Sequence, residues 1–186
     1  MVLIKGDRFF GDPAILMSQF ISNLIFKNMA SLPFAHFFDR EPILVPVPNS
    51  SYMKKNTLWV SHRIATALRE RGYGMGVVEM VKRIKYLPKA AKSTSENRPK
   101  AWQHDDSLEV QDTLALPKRI LLIDDIVTRG ATLFGAASKL SKTYPGINIM
   151  AFSAMRAISD PKYFHDVYDP KVGEITLIGD ETYRDP

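Results

Sequence analysis

Two adjacent acids follow a short apolar run in the second half of the chain. Asp124 and Asp125 come directly after residues 120–123, which are all Ile or Leu, a pattern that predicts a buried β-strand. In open parallel sheets, ligands bind beyond the carboxyl ends of the strands. We therefore expect these two carboxylates, the acid pair, to project toward a ligand rather than into the core, where they can bind hydroxyl groups.

The segment after the acid pair has the composition of a phosphate-binding turn. Residues 128–132, here called the glycine turn, read Thr-Arg-Gly-Ala-Thr and precede a segment with helical spacing. Backbone N–H groups at the start of a helix, together with the positive end of the helix dipole, favour a phosphate dianion. Carboxylates that can bind hydroxyl groups therefore lie next to backbone amides that can bind phosphate. This combination predicts a sugar phosphate as the ligand.

Residues 120–132, ILLIDDIVTRGAT, resemble at every position the thirteen-residue signature of type I phosphoribosyltransferases, which binds 5-phosphoribosyl-1-pyrophosphate (PRPP). The resemblance implies that Asp124 and Asp125 bind the ribose 2- and 3-hydroxyls, directly or through Mg²⁺-bound water. Mg²⁺ is therefore the expected cofactor, carried by PRPP and bridged by water to the two acids, with no direct protein ligand. It implies that the 5-phosphate is bound by the glycine turn, namely Thr128, Arg129, Gly130, Ala131 and Thr132. Arg129 replaces the Thr or Ser of many relatives, and it could add a charge near the phosphate or point to solvent.

An acid pair after an apolar strand also occurs in receiver domains and phosphatases. Those proteins do not require a Thr-x-Gly-x-Thr turn with it, and this chain has one at residues 128–132. The combination favours the phosphoribosyltransferase interpretation over both alternatives.

A second polar loop follows the sequence VPVP at residues 45–48. By the same resemblance it is the pyrophosphate loop, and the expected ligands are Asn49, Ser50, Ser51, Lys54 and Lys55. The VPVP opening resembles ComF-like, competence-associated members. The chain departs from them at residues 55–59, KNTLW, where those relatives carry an Arg-Gly-Phe-Asn stretch, and it lacks their cysteine-rich metal-binding part. An ordinary surface turn is the alternative for this loop.

A long basic stretch with little periodicity is predicted over about residues 82–114. Loops of that length in compact domains are commonly functional, and the family closes a mobile flap over its reaction centre. Lys85, Lys89 and Arg98 are the candidates for neutralising the departing pyrophosphate, and a plain solvated charge is the alternative for each. His104 lies in the same stretch as a weaker candidate for substrate contact.

The surrounding elements alternate between strand and helix, which predicts an α/β fold with a central parallel sheet flanked by helices. We expect one domain over residues 1–186, with a small hood made from residues 1–42 and 162–186, to which Phe9 and Tyr183 could contribute. The expected elements in chain order are a helix over 13–29, a strand over 42–48, a helix over 59–71 ended by Gly72, strands over 76–80 and 119–125, a helix over 132–142, strands over 147–155 and 174–178, and a polar tail.

Composition limits the possible classes of protein. The 186 residues include no cysteine, which excludes disulfides, thiolate nucleophiles and zinc-thiolate sites. No apolar run is long enough to span a bilayer, and the first residues lack a secretory pattern, so a cytoplasmic location without membrane contact is expected.

The formal net charge is +5, and residues 51–103 hold twelve Lys and Arg against three Glu. This excess suits an anionic partner, whether a phosphate ester or a nucleic acid.

The predicted activity is transfer of ribose 5-phosphate from PRPP to a nitrogen acceptor, with inversion at the anomeric carbon and release of pyrophosphate. The acceptor is a nucleobase or related small molecule whose identity the sequence does not specify. A non-catalytic PRPP-binding regulator, or a competence- or nucleic-acid-associated accessory protein, is the alternative. A homodimer is possible for either.

Overall fold

A four-stranded parallel sheet organises the chain. The computed structural model describes residues 2–50, 57–88, 98–113, 117–158, 160–163 and 165–185. Its helices are α1 (Val2–Lys5), α2 (Met17–Asn28), α3 (Val60–Glu70), α4 (Ala101–Asp106) and α5 (Ala131–Thr143). Its strands are β1 (Phe9–Phe10), β2 (Ile15–Leu16), β3 (Ile43–Pro46), β4 (Gly76–Val77), β5 (Val81–Arg83), β6 (Leu108–Val110), β7 (Arg119–Val127), β8 (Asn148–Arg156), β9 (Glu174–Ile178) and β10 (Glu181–Asp185).

The strand order of the central sheet is β4-β3-β7-β8, and every neighbouring pair is parallel. Ile43 pairs with Ile120 and Pro46 with Ile123, so β3 and the apolar half of β7 run side by side. Residues 120–123 are fully buried, as expected of a central strand covered on both faces. The mixed α/β architecture with a parallel sheet flanked by helices is confirmed.

Alternating residues of β7 enter two separate cores. Leu121 and Ile123 pack in one cluster with residues of α2 and α3, including Ile25 and Leu68. Ile120 and Leu122 pack in the other, together with Val45, Met80, Leu108, Leu133 and Leu140. Helices therefore cover both faces of the sheet, and the carboxyl end of β7 emerges between them.

The helix expected over residues 13–29 begins later, at Met17. Residues 9–16 form a small antiparallel hairpin instead, in which Phe9 pairs with Leu16 and Phe10 with Ile15. Gly11, with φ of +85°, turns the chain inside this hairpin. The strand pairing removes residues 13–16 from the helix, which overrides the local helix-start signal of Asp12 and Pro13.

The predicted loop over residues 82–114 is partly regular. In its described part, β5 pairs with β6 in antiparallel orientation, and α4 lies between them in sequence. Met80 and Leu108 are fully buried here, so the strand pair of β5 and β6 covers the core that contains Ile120 and Leu122. The strand expected over residues 76–80 is correspondingly shorter, because only Gly76 and Val77 pair with β3.

The expected polar tail is half of a hairpin. After a 3-10 turn at Pro161–Tyr163, β9 and β10 pair over five residue pairs, from Glu181 with Ile178 to Asp185 with Glu174. Thr182 is buried although its neighbours in sequence are polar. No helix among the described residues is both long enough and apolar enough to cross a membrane.

Candidate functional site

The acid pair lies near the carboxyl end of β7, beside the point where β3 leaves the sheet. The strand was expected to end at the acids, but it continues to Val127 because β8 keeps pairing with it, Asp124 with Ser153 and Val127 with Arg156. The backbone N–H of Val47 donates to the carbonyl of Ile123 at 2.9 Å. The loop that follows β3 therefore begins directly beside the acids.

Asp125 is the more buried member of the pair, and a lysine contacts it. Lys5 Nζ lies 2.9 Å from Asp125 Oδ1 and 2.7 Å from Oδ2. Asp125 Oδ1 also accepts a hydrogen bond from the backbone N–H of Ile126 at 2.8 Å. Lys5 was not among the predicted site residues, because 120 positions separate it from Asp125 and a single lysine near the N-terminus gives no pattern.

Asp124 is partly exposed, and its Oδ1 atom accepts two hydrogen bonds. The donors are the backbone N–H of Asp125 at 2.8 Å and the Ser61 hydroxyl, on α3, at 3.3 Å. Loss of hydration and the neighbouring charge of Asp125 raise the pKa of Asp124, and the charge of Lys5 acts in the opposite direction. The pair thus concentrates negative charge that attracts a cation or hydroxyl donors.

The glycine turn joins β7 to α5. Gly130 has φ of +85° and caps the helix, and its carbonyl accepts the N–H of Phe134 at 2.9 Å. Thr128 is exposed, whereas Ala131 and Thr132 are half-buried. The structure therefore brings the five predicted residues together as one turn at a helix start, next to the acid pair.

The C-terminal hairpin packs directly on the glycine turn. A Cβ atom built on Gly130 would lie 2.5 Å from Ile175 Cδ1, so the two segments are in close contact. Arg129 Nη1 donates to Glu181 Oε2 at 2.8 Å. Of the two roles considered for Arg129, neither describes this arrangement, because its guanidinium pairs with a carboxylate of β10.

His104 lies behind the glycine turn and is 5% exposed. Its Nε2 atom is 3.4 Å from Thr132 Oγ1, while Nδ1 is buried without a hydrogen-bond partner among the described residues. Burial and, to a smaller extent, the nearby positive charge of Arg83 lower the pKa of His104 to about 4. The histidine is therefore neutral at physiological pH and contacts the turn as an uncharged group.

The predicted pyrophosphate loop is described only at its ends. Asn49 Nδ2 donates to the carbonyl of Leu58 at 3.1 Å, and the carbonyl of Ser50 accepts the N–H of Leu87 at 3.0 Å. Ser51, Lys54 and Lys55 lie outside the described residues. Only the described start of the loop, after Val47, is placed beside the acid pair, through the contact of Val47 with Ile123.

Arg83 is a buried cation that sequence reasoning missed. Its Nε donates to the carbonyl of Asn49 at 3.0 Å, and its Nη1 donates to the Ser107 hydroxyl. Burial lowers the pKa of Arg83 to about 10, and the charge of Asp124 acts in the opposite direction. The sequence carries no signal for it, because Lys82 and Arg83 are adjacent basic residues and only the structure shows that Lys82 is exposed and Arg83 buried.

The three flap candidates have different surroundings. Lys85 is exposed just beyond β5, and its backbone N–H is 3.4 Å from the carbonyl of Ser107. Lys89 lies outside the described residues. Arg98 is half-buried, and its Nε atom has no hydrogen-bond partner in the described part of the chain. Contact of these side chains with a ligand stays a prediction.

Comparison with known proteins does not identify a family for this chain. No protein-family model matches the chain, and no curated protein matches it at a significant level. In the ranges that the structure describes, no group of three or more His, Asp and Glu side chains could hold a metal ion. The two carboxylates of Asp124 and Asp125 are the oxygen donors nearest the glycine turn in sequence, so they are the candidates for sharing a cation with a bound ligand.

Proposed function

We propose that this protein is a Mg²⁺-dependent type I phosphoribosyltransferase. It transfers ribose 5-phosphate from PRPP to a nitrogen acceptor such as a nucleobase and releases pyrophosphate. The observation that carries the proposal is the arrangement of residues 120–132, in which a buried strand leads through the acid pair into a glycine-capped helix start. These groups suit the hydroxyls and the phosphate of one sugar phosphate.

The chain topology supports the same fold family. Segments from both ends of the sequence reach the signature, since Lys5 contacts Asp125 while Ile175 and Glu181 contact the glycine turn. That arrangement fits a hood built over the carboxyl end of a parallel sheet. The hood would hold the acceptor above the ribose.

The acid pair has two roles in the proposed reaction. Its oxygens accept hydrogen bonds from the ribose hydroxyls, which orients the sugar. As the bond from C1 to the pyrophosphate oxygen breaks, its electron pair leaves with pyrophosphate and positive charge develops on the ribose. The negative charges of Asp124 and Asp125 stabilise that charge while the acceptor nitrogen forms the new bond to C1 from the opposite face.

The glycine turn provides binding energy away from the reacting bond. Backbone N–H groups at the start of α5 and the hydroxyls of Thr128 and Thr132 can bind the 5-phosphate. Contacts of this kind hold the reacting carbon in position, and so they lower the activation barrier of the transfer without contacting that carbon. Thr132 is in turn oriented by His104, which contacts its hydroxyl from the protein side.

Mg²⁺ fits the donor set, because carboxylate oxygens, phosphate oxygens and water are the ligands it prefers. Oxygens of PRPP would hold the ion, and Asp124 and Asp125 would contact it through bridging water. The ion would supply charge neutralisation for the departing pyrophosphate.

The deciding experiment measures pyrophosphate release from PRPP and Mg²⁺ against a panel of purines, pyrimidines and related acceptors. Calorimetric PRPP binding is measured in parallel. Acceptor-dependent release is expected and would name the acceptor. Tight PRPP binding without release for any acceptor would favour a regulator or accessory protein, and absence of PRPP binding would contradict the proposal.

A further inference from the structure

Lys5 lies at the mouth of the acid pair. Its Nζ atom contacts both carboxylate oxygens of Asp125, at 2.7 and 2.9 Å. The lysine side chain is 60% exposed, whereas the Asp125 side chain is 10% exposed. The ammonium group therefore covers the carboxylate from the solvent side, from which a ligand of Asp125 approaches.

The backbone that carries Lys5 is anchored on both sides. Ile4, the residue before it, is buried in the core that contains Leu121 and Ile123. Asp7, two residues after it, is buried and accepts hydrogen bonds from the Ser18 N–H at 2.7 Å, the Ser18 hydroxyl at 3.0 Å and Arg63 Nη1 at 3.1 Å. The main chain at Lys5 is thus fixed, while its long side chain is free to change rotamer.

The ion pair gives the fold little stability, because the lysine is largely exposed and water screens its charge. It does affect what else can bind Asp125. Like charges a few ångströms apart repel each other, and a divalent ion repels the ammonium group more strongly than a monovalent one does. A metal ion and Lys5 therefore compete for the same carboxylate.

This inference rests on the proposed function. We infer that Lys5 is a substrate-binding residue that exchanges partners. In the free protein it neutralises Asp125, and when the complex of PRPP with Mg²⁺ binds, it releases the carboxylate and contacts anionic oxygens of the ligand. The side chain accomplishes this by rotation alone, since the backbone on either side of it stays anchored.

The test compares Lys5→Met with Lys27→Met, which removes an exposed lysine near the end of α2 and serves as the matched control for charge. Mn²⁺ alone is titrated into each protein, and PRPP is titrated separately in excess Mg²⁺. Lys5→Met should bind Mn²⁺ about tenfold more tightly than wild type, because the competing positive charge is gone. It should bind PRPP about tenfold more weakly, because one charge-assisted hydrogen bond is lost. Lys27→Met should match wild type in both titrations.

Equal Mn²⁺ affinity in Lys5→Met and Lys27→Met would overturn the exchange and leave Lys5 as an ordinary surface ion pair. An unchanged PRPP affinity in Lys5→Met would contradict it as well. Failure of the wild-type protein to bind PRPP would instead contradict the proposed function, and the Mn²⁺ titrations would still decide whether Lys5 competes with a cation. Thermal unfolding of each variant verifies that the fold is retained.

Discussion

Arg129 Nη1 and Glu181 Oε2 are 2.8 Å apart, and this ion pair joins the glycine turn to the C-terminal hairpin. Both side chains are more than a third exposed, so the pair itself adds little stability. Its importance is geometric, because it holds β10 against the turn at the point where Ile175 packs on Gly130. The conformation of the predicted phosphate site therefore depends on residues near the end of the described chain.

Replacement of Gly130 by Ala should destabilise the protein and weaken PRPP binding. The new Cβ would meet Ile175 Cδ1 at 2.5 Å, and φ is +85°, where a side chain is strained. We expect a loss of about 2–3 kcal/mol in the free energy of unfolding, measured by denaturant titration. PRPP affinity, measured by calorimetry, should fall because the turn moves.

Gly72→Ala separates strain from contact. Gly72 has φ of +91°, and nothing lies within 4 Å of a Cβ built there, so only the backbone strain is added. Its loss of stability should be smaller than that of Gly130→Ala, and PRPP affinity should be unchanged. Adding Ile175→Ala to Gly130→Ala should restore part of the PRPP affinity. Equal effects of the two glycine variants would show that the hairpin does not press on the turn.

His104 should make the stability of the protein depend on pH in mildly acidic solution. Its pKa is about 4 in the fold, below the ordinary value of about 6.5 for an unfolded histidine. Between these values the unfolded chain binds the proton and the folded chain does not, so stability falls as the pH falls. This histidine alone should lower the free energy of unfolding by about 2 kcal/mol between pH 7.5 and pH 5.

The measurement is denaturant unfolding at both pH values for wild type and His104→Gln. The difference between the two pH values should be smaller in His104→Gln, whatever its absolute stability. His165→Gln, at an exposed position, is the matched control and should keep the wild-type pH dependence. A wild-type dependence in His104→Gln would show that the buried imidazole is not the titrating group.

The parts of the site that are contiguous in sequence were predictable. The buried strand, the acid pair and the glycine turn follow one another within residues 120–132, so hydrophobic pattern and turn chemistry indicate them without knowledge of the fold. The helix ended by Gly72 and the helix after Gly130 were predicted for the same reason. Each depends on interactions between near neighbours along the chain.

The parts that depend on distant contacts were not predictable. Lys5 meets Asp125 only because α1 packs on the core, and Arg83 reaches Asn49 only because β5 pairs with β6. In the hairpin at residues 174–185 the first strand was predicted and the second was not. The reason is that β10 has one buried residue, Thr182, and is held mainly by backbone pairing. Backbone pairing between polar strands leaves little hydrophobic pattern in the sequence.

Asp124→Asn should raise stability and remove PRPP binding at the same time. The raised pKa of Asp124 means that its charged form is less favourable in the fold than in the unfolded chain, so above the ordinary carboxyl pKa the charge destabilises the protein. A neutral amide removes that penalty. The thermal midpoint at pH 7.5 should therefore rise, while the loss of the charge that we propose binds ribose should abolish calorimetric PRPP binding.

The double variant Asp124→Asn with Asp125→Asn should also fold and fail to bind PRPP. Asp106→Asn is the control, since Asp106 is an exposed acid on α4 and should leave both properties unchanged. Wild-type PRPP affinity in the folded double variant would remove the acid pair from the site.

Arg83→Met should destabilise the fold and weaken PRPP binding through the loop after β3. Arg83 is 3% exposed, and its guanidinium donates to the carbonyl of half-buried Asn49 and to the hydroxyl of buried Ser107, so its removal takes a donor from both acceptors. A loss of about 3 kcal/mol in the free energy of unfolding is expected. Arg83→Lys should recover only part of it, because an ammonium group cannot reproduce the planar fork of donors.

Arg69→Met, at an exposed position on α3, should change stability by no more than about 0.5 kcal/mol. If Arg83→Lys bound PRPP as wild type does, the charge alone would be sufficient, and the hydrogen bonds to the loop would not be what positions it.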